Sequence, residues 1–149
     1  PAEDVDLSKY EGMMDIVFTS PPYFNVERYS HDDTQSWVRY KNIDLWNENF
    51  LQKAVKNVWK TLRKGGLLMV NISDVNASSG GKKKHWLKIC DPMNDYIKTF
   101  DDSEYVECFG MEMAKRPNSI GVGTAVNDEN NNEKESDTFG EPVWVWRKI

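Results

Sequence analysis

Cysteine and histidine are scarce in this chain of 149 residues, which holds two of each. Cys90 and Cys108 stand far apart, with no Cys-x-x-Cys and only His31 and His85 to assist. That excludes zinc-ligand spacing and a disulfide framework, and no metal is expected. Long apolar runs are also missing. No stretch approaches the roughly 18 residues of a membrane span, and the start shows no signal-peptide pattern. The expectation is a soluble chain in a reduced, intracellular setting with no membrane partner. Basic residues are outnumbered, 19 against 24 acidic, leaving a net charge of −5. A protein that coats nucleic acid nonspecifically is therefore disfavoured, although a local basic strip could still touch phosphates. No internal repeat is visible. What is present, with 39% hydrophobic and 12% aromatic residues, suffices for one domain with a real core.

The most informative stretch runs from Asp15 to Phe24, an apolar segment ending in Ser20-Pro21-Pro22-Tyr23. Val17 and Phe18 favour a strand, and two prolines fix φ near −65° and remove two backbone donors. The chain must leave the sheet there. The carboxyl edge of strands is where open α/β sheets bind ligands, so a hydroxyl, proline carbonyls and a Tyr ring would face a crevice.

Met14 to Thr19 reads as a buried strand, and residues 24–46, polar and rich in Tyr and Trp, as a long loop with one irregular turn. From about Leu45 to Arg63 the apolar positions Phe50, Leu51, Ala54, Val55, Val58, Trp59 and Leu62 recur at helical spacing. Lys64-Gly65-Gly66 reads as its stop. Leu67 to Ile72 then reads as a second buried, parallel strand, closing a β-α-β unit. Residues 74–85 form a basic loop by composition. Asp91-Pro92 predicts a helix from Pro92 to about Phe100, capped by Asp91. Tyr105 to Ala114 and Pro142 to Arg147 read as closing strands. Between them, residues 127–137 are almost wholly Asn, Glu, Asp and Lys and are expected to be a disordered insertion.

Taken in order, these residues resemble the amino-group DNA methyltransferases that use S-adenosylmethionine. Thr19-Ser20-Pro21-Pro22-Tyr23 is similar to their catalytic motif. Gln35-Ser36-Trp37, Trp46, Asn57-Val58-Trp59 and Leu62-Arg63-Lys64-Gly65-Gly66-Leu67 resemble the elements that follow it. Phe109 to Asn118 with Glu141-Pro142-Val143-Trp144-Val145-Trp146 resembles the final antiparallel hairpin. The resemblance implies an α/β, Rossmann-like methyltransferase sheet, S-adenosyl-L-methionine as cofactor, DNA as partner and a restriction-modification setting with a cognate restriction enzyme. Ser at the first motif position implies methylation of cytosine at its exocyclic amine. Adenine-N6 methylation, or methylation of an RNA base or a protein amide, is the alternative. The glycine-rich turn with which the family holds its cofactor is missing from these residues. The chain also starts at Pro1 without a methionine, and Pro1-Ala2-Glu3-Asp4 resembles the acidic segment before the catalytic strand. The expectation is thus the catalytic half of a domain whose cofactor turn lies upstream. A noncatalytic nucleic-acid-binding remnant is the reading of a different class.

An exocyclic amine is a poor nucleophile because its lone pair is conjugated into the ring. A Ser20 hydroxyl and a Pro21 carbonyl that accept its two hydrogens would draw the nitrogen toward tetrahedral geometry. Pro22 stiffens the turn, Tyr23 is placed to stack on a flipped base, and Phe24 shores up that ring. The resemblance further implies Glu3, Asp4 and Thr19 on the cofactor side and Lys115 and Arg116 on DNA phosphates. Attack by a cysteine, as in ring-carbon methylation, lacks its usual Pro-Cys pair. Other residues carry plainer readings. Tyr29, Trp37 and Tyr40 either face DNA or pack under the loop, and Lys82, Lys83, Lys84 and Lys88 form a solvated run that could touch phosphate. Asn71 and Asp74, at the carboxyl end of the second strand, either touch a ligand there or cap the following loop, His31 and His85 are surface residues, and both cysteines are small core residues. Trp144 and Trp146 share one strand face, Val143 and Val145 the other.

Overall fold

The structure, a computed structural model, describes residues 1–28, 30–76, 85–114 and 138–149. Tyr29, Lys82, Lys83, Lys84, Lys115, Arg116 and the whole of 127–137 lie outside the described residues. Strand β1 (Met14–Thr19) pairs in parallel with β2 (Leu62–Asn71), and the connection passes over helices α1 (Ser36–Arg39) and α2 (Ile43–Trp46). It continues through a π-helical segment (Asn47–Leu51) into α3 (Gln52–Thr61). The short antiparallel pair β3 (Val75–Asn76) and β4 (Trp86–Leu87) precedes α4 (Cys90–Lys98). The long strands β5 (Ser103–Ala114) and β6 (Thr138–Lys148) then pair antiparallel, and β6 inserts beside β2. The sheet order is β1-β2-β6-β5.

Residues opposite one another across a ladder share a sheet face. Val17, Leu68 and Trp146 line up in this way, and Leu68, Val70 and Trp146 are buried against Phe50, Val55, Trp59, Met93 and Ile97 of the helices. Each such side chain contributes about 1.5–3 kcal/mol when fully removed from water. The polar atoms inside this layer are matched: Trp146 Nε1 donates to Asn94 Oδ1 at 2.9 Å, and Asn94 Nδ2 donates to the Cys90 carbonyl at 3.0 Å. The other face differs. Ile16 and Phe18, opposite Leu67 and Met69, are 58% and 53% exposed. β1 is therefore not the buried strand that its apolar run suggested, because it forms the edge of the described sheet.

Several boundaries also moved. The helical stripe begins earlier, at Ile43, where the Asn42 side chain accepts from Leu45 N at 2.8 Å as an N-cap. It ends at Thr61, whose carbonyl accepts from Met13 N, while Lys60 O accepts from Gly12 N. The end of the helix is thus satisfied by the segment before β1 rather than by a glycine cap. Lys64-Gly65-Gly66 lies inside β2 instead. Between the pairs Met14↔Leu62 and Ile16↔Leu67 the second strand holds three more residues than the first, and Gly65 takes φ 82° within that bulge. A Cβ on Gly66 would stand 2.9 Å from Arg63 O and 3.0 Å from Met14 O. Helix α4 starts at Cys90, two residues before the expected start, and Asp91 does not cap it. Cys90 is buried as expected, but Cys108 is exposed, since β5 is the other edge of the sheet.

Backbone oxygens cannot yield as a flexible side chain can. Gly66→Ala is therefore expected to lower the unfolding free energy by about 1–3 kcal/mol in urea titrations. Gly110→Ala, whose Cβ would meet nothing within 4 Å, should stay within about 0.5 kcal/mol of the parent.

Candidate functional site

The parallel pairing brings the carboxyl ends of β1 and β2 side by side, with Thr19 opposite Val70. From Thr19 the chain turns out through exposed Ser20, buried Pro21 and half-buried Pro22. Phe24 then adopts φ 47°, in the left-handed region that costs a side-chain-bearing residue on the order of 1 kcal/mol. Packing holds it there. The Phe24 ring meets Trp46 edge-on at 5.9 Å, and Trp46 Nε1 donates to Ser36 Oγ at 3.1 Å. Backbone bonds Phe24 N to Pro22 O and Val26 N to Tyr23 O, each 3.0 Å, tighten the turn, and Glu27 Oε2 accepts from Tyr23 N at 3.3 Å.

Tyr23 is 7% exposed, so in this state its ring offers no open face for stacking. Its hydroxyl donates to Glu141 Oε2 at 3.2 Å and lies beside Ser73. Burial, and then the Glu141 charge, push its pKa above the ordinary value, which keeps the hydroxyl protonated as a donor. By contrast, among the described residues no hydrogen bond is made to the Ser20 hydroxyl or the Pro21 carbonyl. Both acceptors lack a hydrogen-bond partner, on a turn that the Phe24 N–Pro22 O, Val26 N–Tyr23 O and Tyr23 N–Glu27 bonds tie down.

Beyond the Tyr23 hydroxyl lies a cavity of about 420 Å³, lined by Ser73, Asp74, Cys90, Phe109, Pro142 and Trp144 among others. Asn71 Nδ2 donates to Pro142 O at 3.1 Å, tying β2 to β6. Asp74 acts as the cap its sequence suggested, but on α4 rather than on the loop beside it. Its Oδ1 accepts from Ile89 N at 2.8 Å and Cys90 N at 3.0 Å, and Lys88 Nζ reaches Oδ2 at 2.9 Å. Burial raises the Asp74 carboxyl, but those two backbone donors and the Lys88 ammonium outweigh it and hold the group below its ordinary value. Burial pushes the Cys90 thiol up to about 12, and the Asp74 charge adds to it, so the thiol stays protonated and unsuited to covalent attack. Sequence reasoning did not single out Ser73 or Glu141. Ser73 is separated from the motif by the whole crossover, and Glu141 was visible only as part of a hairpin.

Glu3 and Asp4 are both gathered by Arg39. Asn57 Nδ2 donates to the Glu3 carbonyl at 3.1 Å, and Glu3 Oε2 is buried without a partner. Thr19 stands at the end of β1, and no described hydrogen bond or ion pair joins it to that pair. Trp37 and Tyr40 are half-buried, and His31 is exposed with its ring 5.8 Å from that of Trp37. Among the described residues no group of three His, Cys, Asp or Glu side chains is placed to hold a metal. No helix among them is long and apolar enough to cross a membrane.

A folded-state carboxyl held below its unfolded value stabilises the fold above that value, and the contribution is lost as pH falls. Asp74→Ala is therefore expected to cost about 0.5–2 kcal/mol at neutral pH in urea unfolding. The difference from the parent should shrink once the pH drops below the unfolded carboxylate value of about 4.

No family model and no curated protein matches the chain. Solved structures do. A Thermus thermophilus protein, provisionally described as a DNA modification methylase, superposes in its complex with S-adenosyl-L-methionine at TM-score 0.60 and 18% identity. A second crystal structure of it gives 0.59 and 18%, and its selenomethionine derivative 0.58 and 16%. These alignments cover 99% of this chain and 52%, 51% and 50% of the others. The chain therefore spans about half the length of these solved chains, and over that half it has the α/β fold that they share.

Proposed function

We propose that this chain is the base-gripping half of a DNA methyltransferase that modifies an exocyclic amine, that of cytosine in preference to adenine. The observation that carries the reading is the pair of unpartnered acceptors, Ser20 Oγ and the Pro21 carbonyl, at the carboxyl end of a strand paired in parallel. An amine has two hydrogens, and two acceptors fixed by a proline-stiffened backbone can take both, drawing the nitrogen out of conjugation. Proline supplies its carbonyl without a competing donor. Tyr23 positions the turn through Glu141, and its ring becomes a stacking wall only when that bond is released.

S-adenosylmethionine would supply the methyl group. The residues described here do not make a cradle for it, because no glycine-rich turn is present and Arg39 occupies both Glu3 and Asp4. The cofactor side of the domain is therefore assigned to residues beyond these 149. Support comes from the open sheet face at Ile16 and Phe18, an unusual sight beside a parallel ladder, which helices normally cover on both sides. Glu3, Asp4 and Thr19 then border that part, and Lys115 and Arg116 remain candidates for phosphate contact. A cognate restriction enzyme remains the candidate protein partner. The missing glycine turn favours one second reading, a noncatalytic nucleic-acid-binding remnant.

Tritium transfer from S-adenosylmethionine to DNA, measured with the chain in its full natural polypeptide and followed by nucleoside analysis, tests this. Ser20→Ala is expected to slow transfer on the order of 10²-fold, as loss of one preorganised polar group does elsewhere. Tyr23→Ala should abolish most of the activity, whereas Tyr23→Phe retains the ring and should retain more. Unchanged transfer in Ser20→Ala and Tyr23→Ala would overturn the site, and methylated adenine would overturn the base. Absence of any transfer would leave the remnant reading.

A further inference from the structure

A second cavity, of about 430 Å³, opens on the other side of Phe24 and is lined by Phe24, Asn25, Arg28, His31, Trp37 and Lys41, with Val38. Its chemistry runs against that of the chain. The protein carries a net charge of −5, yet this lining contains two cations and an imidazole, and no carboxylate. Among the described residues neither Arg28 nor Lys41 has an ion-pair partner, which is true also of Lys9, Lys53, Lys56, Lys60 and Lys64, but only Arg28 and Lys41 line a common cavity without a carboxylate. The Arg28 guanidinium lies 5.1 Å from the Trp37 ring, and its Nε donates to Asn25 O at 3.1 Å, which holds it over the cavity. Trp37 Nε1 is buried and has no acceptor. Leaving such a donor unpaired costs about 1–3 kcal/mol.

A guanidinium, an ammonium, an imidazole and an amide line this cavity with no carboxylate among them, beside the apolar side chains of Phe24, Val38 and Trp37. The complementary ligand has a diffuse negative charge joined to a flat apolar group. We propose that this cavity binds one nucleotide of the substrate DNA strand, its phosphodiester on Arg28 and Lys41 and its base against the aromatic wall of Phe24 and Trp37. The proposal rests on the function argued above. It places that nucleotide one residue away from Tyr23, on the strand that carries the target base, so that gripping the neighbour steadies the nucleotide being modified. The strained Phe24 belongs to both sites, with its backbone closing the Ser20 turn and its ring forming the cavity wall. Sulfonium ligands do not fit, because their charge has the sign of the lining.

The test is equilibrium binding of the full natural polypeptide that carries this chain to a fluorescein-labelled single-stranded DNA oligonucleotide, read by anisotropy from about 50 to 200 mM salt. Arg28→Ala and Lys41→Ala are each expected to lower the slope of log affinity against log salt by about 0.7, the value for one phosphate contact on a single strand. Trp37→Ala removes the aromatic wall but no charge, and is expected to weaken binding by about tenfold at an unchanged slope. Lys53→Ala, on the exposed side of α3, should change neither. A free deoxynucleoside monophosphate is expected to compete, and inorganic phosphate to compete less well, because it lacks the flat group. Wild-type slope and affinity in the Arg28→Ala, Lys41→Ala double variant would overturn the proposal, as would absence of binding by the parent chain. Tighter binding of the same sequence as RNA would overturn the assignment to DNA. The two readings fail separately: methyl transfer with an unaffected double variant sinks the nucleotide site alone, whereas binding of the expected pattern without methyl transfer sinks the catalytic reading alone.

Discussion

The parallel pairing of Met14–Thr19 with Leu62–Asn71 is the constraint on which the rest of this structure depends. Two parallel strands cannot be joined by a tight turn, so the chain must travel from one end of the sheet to the other before it can pair. The path is formed by residues 20–61. It deposits the Ser20-Pro21-Pro22 turn at the carboxyl edge, then α1 and α2, and returns along one sheet face as a helix whose apolar stripe meets Leu68, Val70 and Trp146. The same pairing sets Ser73, just past β2, beside the Tyr23 hydroxyl, although the whole crossover separates them in sequence. β6 then lies antiparallel against the far side of β2 and carries Glu141 to the same place.

Rigidity at that edge comes from polar bonds laid over a packed floor. Tyr23 is fixed at its amide by Glu27 and at its hydroxyl by Glu141, and Asp74 caps α4 across the cavity. Asn71 and Trp144 fasten β2 to β6 through Pro142 O and Ile72 O. Each bond stabilises the fold by about 0.5–1.5 kcal/mol, but together they also leave few conformations for the turn. In the function proposed above, acceptors on such a turn would need no reorganisation during reaction. The positive φ of Phe24 belongs to the same arrangement, since local strain persists only where the surroundings over-determine it.

Charge is distributed with equal economy. Most of the basic side chains with a described partner sit on carboxylates, whereas Arg28 and Lys41 gather around Trp37 without one. A chain with an acidic balance can in this way keep a small basic pocket beside Phe24. It still avoids the indiscriminate attraction that a basic surface would bring.

Much of this was legible in the residues themselves. The strand ending in two prolines, the helical stripe from Phe50 to Trp59, the β-α-β order and the closing hairpin all follow from local rules: fixed proline φ, a 3.6-residue period and β-branched runs. Local rules failed where the deciding partner was remote. Gly65 and Gly66 read as a helix stop, but the end of the helix is satisfied by Gly12 and Met13, and the glycines serve a bulge pressed against Met14. Asp91 had the chemistry of a cap, yet Asp74 holds the α4 terminus from fifteen residues away. An apolar run in β1 cannot announce that its strand lies at an edge, because burial is a property of neighbours. For the same reason the sequence determined the chemistry of Ser20, Pro21 and Tyr23 and their place at the end of a strand. Only the tertiary structure decided that Tyr23 is held down by Glu141 and that Arg28, Lys41 and an unpaired Trp37 share one cavity. Those relations are distances between segments, and spacing along a chain does not encode them.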